Sequence, residues 1–370
     1  MDLQTLPDNP YLLLTPGPLS TTKSVKSVML RDWCTWDDDY NTIVEQIRQK
    51  LVDLATDSTG YTAVLMQGSG TFSVEAALTT AIPGTGKLLV LANGAYGRRI
   101  ALIAQRLGID HKTVDSGDLE PPDLNLLNAT LAADPAITHV AVVHCETTTG
   151  MLNPISAIGK IVHRHNRTYM VDAMSSFGGI PLDMADIHCD WLISSANKCI
   201  QGVPGFGFVI ARTAALKKTK QNANSLSLDL YDQWQTMEKG KGKWRFTSPT
   251  HVVRSFARAL DELDNEGGIE KRWERYKTLN AFLILEMKKR GFVPLLKSRY
   301  QSPIITAFLT PDHPDYDFSR FYRQLKAQGF VIYPGKVTQM DTFRIGNIGH
   351  IHMADMKQLV GAVSKAVYWG

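Results

Sequence analysis

Cysteine and long apolar runs are both scarce in this sequence. No apolar run reaches the 18 residues that a membrane-spanning helix needs, and no basic N-terminal segment leads into an apolar stretch as in a secretion signal. The four cysteines fit neither the spacing of a metal site nor the density of a disulfide scaffold. They are Cys34, Cys145, Cys189 and Cys199. These absences argue against membrane-embedded and disulfide-stabilised proteins, and we expect a soluble cytoplasmic protein with reduced thiols.

The sequence also lacks a strong excess of charge of one sign. Lys and Arg number 40 against 36 Asp and Glu, and the basic residues are scattered. Local basic clusters at 217–220 and 239–243 are typical of solvated loops, so we expect no nucleic-acid partner. The histidines show no ligand spacing, so we expect no metal. With 44% hydrophobic residues in a chain of 370, about two domains with substantial cores are expected.

Strand and helix patterns alternate from about residue 60 to residue 210. Short apolar runs rich in β-branched residues are separated by helical segments, which predicts an α/β fold with a mostly parallel sheet covered by helices. Beyond residue 250, long helical patterns and a few strands predict a smaller C-terminal α+β domain. We therefore predict a large domain over residues 21–250 and a small domain over 251–370. An N-terminal segment, 1–20, is expected to pack with the small domain and the active site.

Asp172 and Lys198 each end a short apolar run of the kind that forms a buried strand. Open α/β sheets bind ligands at the carboxyl ends of their strands, so these two side chains are expected at neighbouring strand ends. Pyridoxal 5′-phosphate requires this pair, because a lysine forms the Schiff base and a carboxylate keeps the pyridine nitrogen protonated. The alternative is a structural ion pair between two buried charges.

A glycine-rich turn, Gln67-Gly68-Ser69-Gly70-Thr71, stands between a predicted strand and a predicted helix. Glycines let the backbone approach an anion, the helix N-terminus offers free N–H groups, and Ser69 and Thr71 add hydroxyl donors. The pattern predicts a phosphate site, although a helix cap formed by Ser69 or Thr71 explains the same residues. It is neither the dinucleotide fingerprint nor the P-loop, because the third glycine of the first and the Gly-Lys-Ser/Thr ending of the second are absent.

Three further segments carry candidate polar residues. The threonines at 147–149 follow a predicted strand, where their hydroxyls can bond the ring oxygen of a cofactor or cap the next turn. Tyr96 follows another strand and is suited either to stacking on a cofactor ring or to packing in the core. Arg344 lies in an apolar strand-like segment, where its planar donors favour a carboxylate or phosphate-like anion, or else a structural salt bridge.

Several long segments resemble the 2-aminoethylphosphonate–pyruvate transaminases, and the resemblance covers almost the whole chain. They are Tyr11 to Pro18, Cys34 to Asp37, Gly68 to Thr71, Glu146 to Asn153, Val171 to Gly179, Ser194 to Gly205, Phe246 to His251 and Phe343 to Gly349. That family belongs to the fold-type I pyridoxal phosphate enzymes, in the subgroup of alanine–glyoxylate and serine–pyruvate transaminases. The resemblance implies pyridoxal 5′-phosphate as cofactor and a homodimer with each active site at the subunit interface, with no membrane partner.

The resemblance also assigns roles to single residues. It implies that Lys198 is the Schiff-base lysine and that Asp172 is the partner of the pyridine nitrogen. The other implied roles are phosphate binding by Ser69, Gly70, Thr71, Asn197 and the partner subunit's Thr247, ring-oxygen binding by Thr148, ring stacking by Tyr96, and substrate binding by Arg344. Apart from the resemblance, we expect backbone donors around Thr15 to Pro18, at Gly17 in particular, to complete the substrate site.

The implied reaction is transamination of 2-aminoethylphosphonate with pyruvate to give phosphonoacetaldehyde and L-alanine, a step of phosphonate catabolism. The nearest alternative is an alanine–glyoxylate or serine–pyruvate transaminase. A cysteine desulfurase of the same fold would need a reactive cysteine on a mobile loop, and usually a histidine where Asn197 stands. A non-catalytic regulatory protein that binds the cofactor is an alternative of another class, but no appended basic DNA-binding module supports it.

Overall fold

Helices and strands alternate along most of the chain. The computed structural model describes residues 3–337 and 340–369, and none of the helices in these residues is both long and apolar enough to cross a bilayer. The α-helices are α1 (Lys23–Ser27), α2 (Asp38–Ala55), α3 (Gly70–Ala81), α4 (Ala95–Arg106), α5 (Leu124–Ala133), α6 (Ile155–Arg164), α7 (Thr213–Leu216), α8 (Leu230–Lys239), α9 (Thr250–Glu266), α10 (Gly268–Lys289), α11 (Phe318–Ala327) and α12 (Met353–Ala366). The strands are β1 (Leu12–Leu13), β2 (Tyr61–Gln67), β3 (Lys87–Ala92), β4 (Asp110–Asp115), β5 (Ile137–Val143), β6 (Cys145–Glu146), β7 (Met151–Leu152), β8 (Thr168–Asp172), β9 (Trp191–Ser195), β10 (Phe206–Arg212), β11 (Ile305–Leu309), β12 (Phe330–Val331), β13 (Tyr333–Val337) and β14 (Met340–Gly346).

Seven strands form the central sheet, in the order β2-β10-β9-β8-β5-β3-β4. Neighbouring strands are parallel except at β10, which is antiparallel to both β2 and β9. The segment between β9 and β10 contains no helix. Two parallel neighbours need a long crossover connection, usually a helix, so β10 runs antiparallel to β9. The predicted α/β fold with a mostly parallel sheet is confirmed.

The carboxyl ends of β2, β3, β5, β8 and β9 meet at one edge of this sheet, because these five strands run in the same direction. β5, β8 and β9 are buried along almost their whole length, as expected for strands covered on both faces. α2 adds Val44, Ile47 and Leu51 to the same core at helical spacing. The segments that leave this edge are therefore held on a rigid support.

The smaller C-terminal sheet is antiparallel and has the order β11-β14-β13. Its core is rich in aromatic side chains, and the rings of Phe308 and Phe343 stack with centroids 5.6 Å apart. α9 packs elsewhere, since Phe256 and Leu260 on its apolar face belong to the large core. The boundary predicted at residue 250 lies at the start of this helix and stays a prediction.

The N-terminal segment connects the two parts of the fold. β1 pairs in parallel with β12 of the C-terminal region, and the carbonyl of Leu14 accepts a hydrogen bond from the Gly346 N–H at 2.9 Å. The side chain of Leu14 is buried in the small core. The next residues, Thr15 to Pro18, form a loop that reaches Lys198 in the large domain.

Candidate active site

A cavity opens at the carboxyl edge of the central sheet. Five of its polar residues come from the ends of strands or the segments that follow them, namely Thr71, Tyr96, Thr147, Asp172 and Lys198, and Arg99 and Ser175 also line it. Aliphatic side chains of α3 and α4 complete the wall. A concave, largely apolar site with a few convergent polar groups is typical of small-molecule binding. The fold thus brings together candidates from widely separated parts of the sequence.

Lys198 projects from the turn after β9. Its Nζ donates to the backbone carbonyls of Pro16 at 2.9 Å and Gly17 at 3.3 Å. No carboxylate in the described part of the chain forms an ion pair with this amine, so the structural ion pair considered above is not found. Burial lowers the pKa of Lys198 to about 8. About one amine in ten is then neutral at pH 7, the form that can act as a nucleophile or accept a proton.

Asp172 is the last residue of β8, as predicted, whereas Lys198 lies three residues beyond the end of the neighbouring strand β9. Its Oδ1 accepts a hydrogen bond from the Met174 N–H at 2.9 Å. Burial raises the pKa of Asp172 to about 6, against the opposing effects of that hydrogen bond and the Lys198 charge. The carboxyl is therefore mostly ionised at neutral pH and offers a buried negative charge to a cationic group in the cavity.

The glycine-rich turn enters α3 beside the cavity. Ser69 occupies the N-cap position, yet its side chain makes no capping hydrogen bond, so the capping alternative is not found for this residue. Thr71 lines the cavity, and a Cβ on Gly70 would overlap the Met174 side chain, so glycine lets the helix start against the cavity wall. A phosphate-binding role for Ser69, Gly70 and Thr71 stays a prediction.

Tyr96 and the turn after β6 form another part of the cavity wall. Tyr96 lies in the first turn of α4, with the Arg99 guanidinium 4.9 Å from its ring centroid. Thr147 lines the cavity, whereas the Thr148 hydroxyl lies 3.5 Å from a carboxylate oxygen of Glu146. The stacking role of Tyr96 and the ring-oxygen role of Thr148 stay predictions.

Arg344 lies on β14 and does not itself line the cavity, but it donates to the backbone of the lining residue Thr147. Its Nε and Nη2 donate to the carbonyl of Pro334 at 3.2 and 2.7 Å, and its Nη1 donates to the carbonyl of Thr147 at 3.0 Å. No carboxylate among the residues 3–337 and 340–369 pairs with it, so the structural salt bridge considered above is not found. These bonds use three of the five guanidinium N–H groups, and two remain for an anionic ligand.

Gly17 approaches Lys198 more closely than any other residue type would allow. Its φ is +109°, and a Cβ there would lie 2.7 Å from the Lys198 Cδ and 2.9 Å from the Asn197 carbonyl oxygen. The flanking prolines, Pro16 and Pro18, have no backbone N–H to donate. This loop presents carbonyl acceptors to the lysine amine, and a substrate-binding role for the Gly17 backbone stays a prediction.

Asn197 and Thr247 are the two remaining residues predicted to bind the phosphate. Asn197 directly precedes Lys198, and its Oδ1 accepts a hydrogen bond from the Ser195 hydroxyl at 3.1 Å. Thr247 is exposed, its carbonyl accepts from the Gln67 side chain at 3.4 Å, and it does not line the cavity of its own chain. The phosphate-binding roles of both residues stay predictions.

Glu146 is a site residue that the sequence reasoning missed. Its carboxyl is fully buried, and its two oxygens accept from the backbone N–H groups of Tyr96 and Gly97 at 3.3 and 2.7 Å. A signal was available, because Glu146 closely follows the buried strand β5, and acidic residues are rarely buried without partners. The sequence interpretation considered the threonines at 147–149 as binding residues and did not consider Glu146.

Comparison with known proteins gives consistent matches over the whole chain. The profile of the aminotransferase class-V family matches residues 23–348. The 2-aminoethylphosphonate–pyruvate transaminase of Vibrio vulnificus strain CMCP6 is 61% identical over 362 residues, covering 98% of this chain and 99% of the relative. The enzyme of the same name from Syntrophobacter fumaroxidans is 60% identical over 365 residues, covering 99% and 98%.

Solved structures match the fold closely at lower identity. The alanine–glyoxylate aminotransferase of Nostoc sp. superposes with a TM-score of 0.89 at 22% identity and covers 99% of this chain and 98% of its own. The pyridoxamine–pyruvate aminotransferase of Mesorhizobium loti has a TM-score of 0.86 at 26% identity and covers 97% and 93%. The fold is thus shared with aminotransferases that are distant in sequence.

Proposed function

This chain belongs to the aminotransferase class-V family and to the 2-aminoethylphosphonate–pyruvate transaminases within it, and we propose that it uses pyridoxal 5′-phosphate to transfer the amino group of 2-aminoethylphosphonate to pyruvate. The products are phosphonoacetaldehyde and L-alanine. The observation that carries the proposal is the lysine amine of lowered pKa that shares one cavity with a buried carboxylate, in a chain 61% identical to transaminases of that name.

The residues around the cavity fit the proposed cofactor. Thr71 and the N-terminus of α3 suit a phosphate, and Asp172 suits a protonated ring nitrogen. No carboxylate of the described residues pairs with the Lys198 amine and competes for it. Tyr96 offers an aromatic face to a flat ring. When bound, pyridoxal 5′-phosphate supplies the electron-withdrawing ring that allows a proton to leave the substrate carbon.

Lys198 and Asp172 have different roles in the proposed reaction, proton transfer for the first and electrostatic stabilisation for the second. The amine of Lys198 carries the proton to and from the reacting carbon, which its lowered pKa allows near neutral pH. The ionised carboxyl of Asp172 holds a positive charge on the ring nitrogen. The aliphatic wall from α3 and α4 excludes water from one side and strengthens both interactions.

Arg344 is suited to the anionic end of each substrate. The carbonyls of Pro334 and Thr147 already orient its guanidinium. Its two remaining N–H groups can donate to two oxygens of a carboxylate or a phosphonate. Its charge persists although burial lowers its pKa, because a free guanidinium titrates far above neutral pH. One arginine can therefore serve both half-reactions.

A homodimer explains the exposed surface near the glycine-rich turn. The side chains of Trp36, Phe72 and Phe246 are 74%, 52% and 41% exposed, and Lys243, whose amine lies 3.9 Å from the Trp36 ring centroid, lines one hollow with Phe246. Thr247 belongs to the same surface, since it lines one hollow with Phe246. We propose that this surface meets a second copy, so that Thr247 reaches the phosphate site of the partner.

The proposed function is tested by a scan of amino donors with pyruvate as acceptor. We expect L-alanine to form rapidly from 2-aminoethylphosphonate and at least about 100-fold more slowly, by kcat/KM, from serine, because hydrogen-bond donors placed for a phosphonate are left unpaired when the amino donor lacks that group. Alanine with glyoxylate tests the nearest alternative. Faster turnover of either alternative pair would contradict the proposed substrate, and a colourless protein that gains no visible band with added pyridoxal 5′-phosphate would contradict the cofactor.

Arg344→Lys is expected to weaken both substrates together. A lysine ammonium cannot donate to Pro334, Thr147 and a substrate in the same fixed geometry, so KM for 2-aminoethylphosphonate and for pyruvate should each rise by about 10- to 100-fold. Steady-state kinetics with each substrate varied in turn measures this. The matched control is Arg320→Lys, an exposed arginine over the ring of Tyr368 in the small domain. An unchanged KM for either substrate would count against the role.

A further inference from the structure

Glu146 is a buried carboxylate without an ion-pair partner. Its side chain is fully buried, and no cation in the described residues forms a salt bridge with it, since the nearby Arg98 pairs with Asp115 and Asp118. Burial raises its pKa to about 7. A buried acidic group destabilises the fold unless its oxygens accept hydrogen bonds.

The side chain of Glu146 binds the start of α4. One oxygen accepts from the Gly97 N–H at 2.7 Å and the other from the Tyr96 N–H at 3.3 Å, at the end of the helix where the dipole favours negative charge. Gly94 makes this approach possible, because a Cβ there would lie 2.6 Å from both the Glu146 Cδ and its Oε2. The position of the Tyr96 ring in the cavity therefore depends on this carboxylate.

The backbone of Glu146 organises the other side of the site. Its carbonyl accepts from the N–H groups of Gly150 at 2.8 Å and Thr149 at 3.3 Å, which closes the turn containing Thr147. Thr147 lines the cavity, and its own carbonyl accepts from Arg344. A single residue thus contacts the Tyr96 wall through its side chain and the turn that orients Arg344 through its backbone.

We propose that Glu146 is a positioning residue that couples the Tyr96 wall of the cofactor cavity to the turn that orients Arg344. The carboxylate is required because each of its two oxygens accepts from one of two adjacent N–H groups. An amide has only one acceptor oxygen, and its NH₂ group would face an N–H. This inference rests on the proposed function, since it assigns the residue to cofactor and substrate binding in that reaction.

Glu146→Gln in the full-length enzyme tests the coupling. We expect the Kd for pyridoxal 5′-phosphate to rise about tenfold, because the charge-assisted hydrogen bond to the Tyr96 N–H is lost, and KM for pyruvate to rise several-fold, because the carboxylate no longer accepts from the Thr148 hydroxyl in the turn that orients Arg344. Titration of the visible absorbance gives the Kd, and steady-state kinetics gives KM. The control is Glu238→Gln, the same chemical change at an acid that accepts from Arg48 and Trp234 away from the cavity, where only thermal stability should fall.

Gly94→Ala provides a second route if Glu146→Gln fails to fold. The new Cβ displaces the carboxylate from α4 while leaving Glu146 in place, and Gly94 has an extended φ of 171° that alanine can adopt. The same rise in Kd and KM is expected. Wild-type Kd and KM in the folded variants, or a loss of thermal stability alone, would overturn the inference. Failure of the wild-type protein to bind the cofactor would instead overturn the proposed function.

Discussion

Lys198→Ala is expected to lower kcat by about 10⁴-fold or more, because the variant loses both the nucleophile and the proton carrier of the reaction. The amine is poised for both roles, with a pKa lowered to about 8 and only backbone carbonyls as partners. Activity is measured as L-alanine formed from 2-aminoethylphosphonate and pyruvate. Added methylamine should restore part of the rate, since the missing group is a primary amine.

Borohydride reduction followed by peptide mass measurement gives an independent readout for the same variant. The wild-type peptide containing Lys198 should gain the mass of the reduced cofactor, and the peptide from Lys198→Ala should not. Lys289→Ala removes an exposed lysine that pairs with Glu286 at the end of α10 and serves as the control with normal turnover. Normal turnover in Lys198→Ala would refute the assignment of the lysine.

Asp172→Asn should reduce kcat by on the order of 10²- to 10³-fold, the size typical of removing one preorganised electrostatic group. The asparagine oxygen can still accept from the Met174 N–H, so the fold should be retained while the negative charge is lost. Asp172 would hold a protonated ring nitrogen of the bound cofactor, and without its charge the ring would withdraw electrons less strongly. KM should change much less than kcat, because Asp172 is not the group proposed to bind either substrate anion.

A cofactor analogue separates charge from packing at Asp172. The N-methylated cofactor has a permanently cationic ring nitrogen, so it should restore a substantial part of the rate to Asp172→Asn. Asp190→Asn is the control, because Asp190 accepts from Tyr169 and Arg212 at the opposite end of the same strands. Full activity of Asp172→Asn with the ordinary cofactor would show that the carboxylate is not needed.

Sequence patterns predicted the local parts of the site well. The β8 and β9 strands and the glycine turn before α3 are visible from apolar runs and turn residues within a few positions. Asp172 ends its strand as predicted, but Lys198 lies three residues beyond the end of β9, in a turn. The pattern of apolar residues does not distinguish a strand from a buried turn that continues it, so the apolar run extended past the end of β9.

Other features depended on which distant segments pack together. The sequence by itself determined the order of strands and helices and the residue types at the strand ends, because these follow from contacts between near neighbours in the chain. Only the tertiary structure decided that carbonyls at 16 and 17 hold the Lys198 amine, that the carbonyl of Thr147 holds Arg344, and that Glu146 binds the start of α4. Each of these depends on hydrogen bonds between segments far apart in sequence, whose meeting is set by the packing of the whole core.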